Sequence, residues 1–73
     1  MQTENMTLQG YCSYLGWDAA ELSRKSGIAP RSARKALKGE EISFRVARDI
    51  ADALSLYTGN RINVGDIQEL NVS

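Results

Sequence analysis

The chain contains no histidine among its 73 residues, one cysteine and one proline, and five aromatic side chains. Each scarcity excludes a class of chemistry. Without histidine the commonest general base and metal ligand is missing. A single cysteine, Cys12, cannot close an intrachain disulfide or build a zinc site, and it favours a reducing compartment. No apolar run approaches the roughly 20 residues that a membrane helix needs. The N-terminus lacks the basic-then-apolar shape of a secretory leader, and no glycine-rich phosphate loop occurs. The carboxylates are scattered, with Glu40 and Glu41 adjacent in a loop and Asp49 and Asp52 on one helical segment. These absences lead us to expect a cytoplasmic protein with no enzymatic activity, no cofactor, no metal and no membrane partner.

What is present is a strong separation of charge. The formal net charge is zero, yet eight of the nine basic residues lie between Arg24 and Arg48. That window holds only two acids, Glu40 and Glu41, and carries +6. The remainder sets Arg61 against seven acids and carries −6. A concentrated positive segment is suited to neutralising phosphates. The length sets one small domain over residues 1–73, which buries only about 60% of its unfolded surface.

Helical periodicity runs through the chain. Leu8, Tyr11, Cys12 and Leu15 share one face of a first helix expected from about Met6. Asp18, with Glu21 three residues on, opens a second helix over about Ala19 to Ser26, with Leu22 inward. Gly27 suits the left-handed position after it, and Ile28 reads as a buried plug. Pro30 starts a third helix to about Lys38, with Ala33, Ala36 and Leu37 inward and Gly39 as its stop. Ser43 caps a fourth helix whose stripe includes Phe44, Val46, Ala47, Ile50, Ala51, Leu54 and Tyr57, closed by Gly59. Asn63 with Asp66 reads as the cap of a short fifth helix carrying Val64, Ile67 and Leu70. Trp17, Tyr14 and Phe44 are expected in the core or between helices, and Cys12 as a core thiol.

The second and third helices, with a glycine turn and small inward residues, have the form of a helix-turn-helix over about 19–38. The stretch from Asp18 to Gly39 resembles the lambda-repressor/Cro-like (XRE-type) helix-turn-helix family of phage and bacterial regulators. Leu22, Gly27, Ile28, Ala33 and Gly39 stand at that family's spacing. Ile42-Ser43 and Ile50 to Leu54 are similar to its fourth helix, and Val64 to Ile67 to its fifth. The resemblance implies an all-α, compact five-helix DNA-binding domain. Ser23 stands where the family has a buried alanine, so its hydroxyl needs a backbone partner. Ala29 stands where the family has serine or threonine, so the third helix lacks a side-chain cap.

An outward face starting at Pro30 carries Arg31, Arg34, Lys35 and Lys38, with Ser32 on its flank. The resemblance places Pro30, Arg31, Arg34 and Lys35 toward the major groove. Arg31 and Arg34 can each fork onto guanine O6 and N7. The resemblance places Lys38 and Arg45 near the backbone, and Ser43 with the free amides beside it suits a phosphate. Arg24 and Lys25 lie off this face and read as solvated charge, and Arg48 stands one turn before Asp52, a spacing that allows an ion pair. The resulting expectation is a sequence-specific regulator of double-stranded DNA, a repressor of phage, plasmid or bacterial type acting by promoter occlusion. A two-fold homodimer is expected through the C-terminal helices, using Leu56, Tyr57, Ile62, Val64, Ile67, Leu70 and Val72. The alternative is a protein-binding module, such as an antitoxin or an anti-repressor, using that same acidic and apolar C-terminal part.

Overall fold

A computed structural model describes residues 6–73. It is all-helical: α1 (Leu8–Leu15), α2 (Ala19–Ser26), α3 (Pro30–Leu37), α4 (Phe44–Thr58) and one 3-10 turn (Val64–Asp66). Local chemistry sets these bounds. Thr7 Oγ1 accepts from the Gly10 amide at 3.0 Å, so α1 starts at Leu8 rather than at Met6. Asp18 Oδ1 accepts from the Glu21 amide at 2.8 Å and opens α2. Glu21 does not return the bond as a capping box does; it pairs with Arg24 at 3.3 Å. Ser43 Oγ accepts from the Val46 amide at 3.2 Å and opens α4.

The turn between α2 and α3 is three residues, Gly27-Ile28-Ala29. Gly27 takes φ 78°, a left-handed conformation in which a Cβ is strained. Ile28 is buried, as its place in the turn requires. The Ser23 hydroxyl finds its backbone partner here: Oγ donates to the Ile28 carbonyl oxygen at 2.6 Å. That bond ties α2 to the turn. We expect Ser23→Ala to cost about 1 kcal/mol in urea unfolding. Ser26 Oγ bonds only back to Leu22 of its own helix, so Ser26→Ala should cost less; equal costs would mean that the turn bond contributes nothing. Ala29 offers α3 no side-chain cap, and Pro30 occupies its first turn.

The core joins all four helices. Leu22, Ile50 and Leu54 are fully buried, with Leu8, Tyr11, Cys12, Ile28, Ala33, Ala36, Ile42, Ala47, Ala51, Ile62 and Ile67 around them. Small Ala33 and Ala36 on α3 let α2 approach it closely. Cys12 is the expected core thiol, and burial pushes its pKa up to about 11, which keeps it neutral. Two aromatics depart from expectation, and Trp17 packs between helices as expected. Tyr14 is 73% exposed and Phe44 56%, so neither is a core residue. Trp17 is half-buried and meets Tyr57 edge-to-face at 5.3 Å.

The fifth helix is not formed. Asp66 and Ile67 donate to Asn63 and Val64 in a single 3-10 turn, and Ile67 is already extended at φ −95° and ψ 110°. Other segments take the backbone donors that a helix would use. Gln68 N–H donates to the Met6 carbonyl, and Ser73 N–H to the Ile42 carbonyl. Ile42 N–H in turn donates to the Asn71 carbonyl. The tail therefore crosses the molecule as an extended strap, with isolated parallel bridges pairing Thr7 with Gln68 and Ile42 with Val72. Glu69 turns the strap with a left-handed φ of 62°.

Candidate nucleic-acid interface

The basic window divides into side chains that hold the fold and side chains left free. Arg24 is ion-paired with Glu21 on the surface. Lys25 Nζ lies 5.1 Å from the centre of the Tyr57 ring, whose edge-to-face partner is Trp17. This three-residue stack ties α2 to the end of α4. Arg24 stays largely solvated, as expected, whereas Lys25 does not. Among the described residues, Arg48 and Asp52 do not form an ion pair, and Arg24–Glu21 is the pair within 4.0 Å.

Four cations without an ion pair among the described residues gather on α3. Arg31, Arg34, Lys35 and Lys38 are exposed and follow the i, i+3, i+4, i+7 spacing that puts side chains on one helical face. All four border a single open depression, whose fifth lining residue is Glu40. None makes an ion pair with another described residue. The opposite face of α3 buries Ala33 and Ala36 against the core. The helix is thus anchored on one side and cationic on the other. Its eight residues span roughly 12 Å, the rise of three to four base pairs.

The other expected site residues do not line the depression. Pro30 is exposed at the start of α3, and Ser32 is half-buried on its flank. Ser43 and Arg45 are exposed at the start of α4. Ser43 Oγ already accepts the Val46 amide, so what it can offer an anion is its hydroxyl proton. Phe44, between them, is a large exposed apolar side chain at the same helix start.

Glu40 was legible in the sequence only as part of a loop pair. The signal that places it is Gly39. With φ 80°, Gly39 ends α3 in a Schellman motif: its N–H donates to the Ala36 carbonyl, and Glu40 N–H donates to the Lys35 carbonyl at 2.9 Å. The Glu40 backbone is pinned to the helix that carries the cations.

The surface expected for a second copy is smaller than its sequence suggests. Ile62 and Ile67 are buried in the chain's own core, and Val64, Leu70 and Val72 pack partly against it. No α-helix follows α4 among the described residues, only the 3-10 turn. Of the seven residues, Leu56 and Tyr57 are exposed, at 73% and 46%. No helix of the described residues is long and apolar enough to cross a membrane. Comparison with protein-family models, with curated proteins and with solved structures finds no match to this chain.

Proposed function

We propose that the protein binds double-stranded DNA in a sequence-specific manner, with α2 and α3 as a helix-turn-helix and α3 as the helix that enters the major groove. The observation that carries this reading is the convergence of Arg31, Arg34, Lys35 and Lys38 on one depression of a helix whose other face is core. Four unpaired cations close together repel one another, a cost that a dense line of phosphates or guanine edges offsets. The similarity of Asp18 to Gly39 to lambda-repressor/Cro-like regulators supports the same reading. Arg31, Arg34 and Lys35 then read bases, with Pro30 and Ser32 bordering the groove. Lys38, Ser43 and Arg45 hold phosphates. Promoter occlusion by a helix seated in the groove is the mechanism we assign to these residues, and a repressor is the role.

The test is selection from a random duplex pool at two salt concentrations. An enriched motif with affinity falling steeply in salt supports the reading. Absence of binding at low salt overturns it in favour of a protein-binding module, for which Leu56 and Tyr57 are the exposed members of the C-terminal apolar set. A two-fold motif would indicate a homodimer, for which that same exposed pair is the proposed contact. Phosphate and base contacts separate by variant. Lys38→Ala or Arg45→Ala should weaken all sequences alike and lower the slope of log K against log salt by about one. A change in the preferred sequence with an unchanged slope would reassign these residues to base reading.

A further inference from the structure

The polar side chains bordering the α3 depression fall into two chemical kinds. Arg31, Arg34, Lys35 and Lys38 are donors only, and Glu40 is an acceptor only. No asparagine or glutamine lies on α3, so the side chains that pair with adenine are missing from the helix. The same depression therefore offers a group of donors and one acceptor, carried on a backbone position held to the helix end. In the major groove, guanine presents two adjacent acceptors, O6 and N7, and its partner cytosine presents the N4 amine as a donor. Adenine sets its N6 donor beside the N7 acceptor, so an arginine fork meets one wrong group there, and a carboxylate meets a lone pair.

We infer that this face selects G·C base pairs, its cations taking guanine edges and Glu40 accepting from the N4 amine of a cytosine. The inference rests on the duplex-binding reading above and specifies what that site reads. Glu40 costs affinity for every duplex, because a carboxylate at a phosphate-lined groove is repelled. Cytosine N4 offsets that cost best, because the adenine N6 donor stands beside the repelling N7 lone pair, so Glu40 sharpens discrimination while lowering general affinity. Its position is not free: the Gly39 turn and the bond from its N–H to the Lys35 carbonyl hold it to the end of α3.

Three arms test this on the full chain: selection from a random duplex pool, substitution of 7-deazaguanine in the selected duplex, and Glu40→Gln. Glu40 is exposed, so the variant should keep its helical circular dichroism. We expect G·C pairs enriched at two or more neighbouring positions. Removing a contacted guanine N7 should weaken binding about tenfold. Glu40→Gln should reduce the preference for cytosine over adenine at one position by about fivefold or more, since glutamine also reads adenine, while binding to random duplex tightens. An A·T motif, or a motif indifferent to 7-deazaguanine, overturns the inference and leaves DNA binding standing. So does a Glu40→Gln variant whose affinity shifts equally for all sequences. Binding without any enrichment overturns both base-reading claims, and no binding at low salt removes the duplex reading itself.

Discussion

Replacing Arg31 and Arg34 together by alanine should remove most of the sequence preference and lower affinity for the selected duplex by roughly 30-fold or more. Each bidentate arginine–guanine contact discriminates by about 1–3 kcal/mol, and the two side chains stand one turn apart on the same exposed face. Neighbouring contacts on one helix need not add, so the single variants must be measured beside the double. The fold should be untouched, because both side chains are exposed and neither makes an ion pair with another described residue. Competition binding against random duplex separates the two losses: specific binding should fall most of the way toward non-specific binding, with Lys35 and Glu40 left to read what remains. The variant keeps Lys35, Lys38, Arg45 and Arg48, so non-specific affinity should persist at low salt with a shallower slope. A double variant that still selects the wild-type motif as strongly as the unaltered chain would remove Arg31 and Arg34 from the proposed role of readers.

Much of the helical order was legible because it is written in local signals. Asp18, Ser43 and Pro30 are start residues, and Gly16, Gly27, Gly39 and Gly59 take the left-handed backbone that ends or turns a helix. Such signals act over a few residues and need no knowledge of the rest of the chain. The cationic stripe was legible for the same reason, since helical spacing alone aligns Arg31, Arg34, Lys35 and Lys38. The tail was not. Asn63 and Asp66 carry the chemistry of a helix start, and Asp66 does accept from the Asn63 amide at 3.0 Å. The next residues nonetheless pair with Met6 and Ile42, which lie far away in sequence. A long-range partner competing for backbone donors leaves no local trace. Tyr57 shows the same limit. Its periodicity says inward, but Trp17 and Lys25 hold it at the surface.

Leu22→Ala should produce the largest loss of stability of any single substitution considered. Leu22 is fully buried on α2, between α3 and α4. Truncating such a leucine removes transfer free energy and leaves a cavity, for about 2–5 kcal/mol. A chain of 73 residues has a total stability of about 4–11 kcal/mol at ordinary values per residue, so the variant loses a large share of it. A drop in Tm of roughly 10 °C or more follows, read by circular dichroism. Leu56→Ala is the internal control, because Leu56 is 73% exposed and its truncation should shift stability by under about 0.5 kcal/mol. The comparison also separates the scaffold from the reader. Leu22→Ala should weaken DNA binding only in proportion to the fraction unfolded, with the preferred sequence unchanged. Lowering the temperature should therefore restore its binding toward wild type, whereas no temperature restores selectivity to the Arg31 and Arg34 double variant. If Leu22→Ala is nearly neutral, α2 is not packed as described, and the support that aims α3 must lie elsewhere.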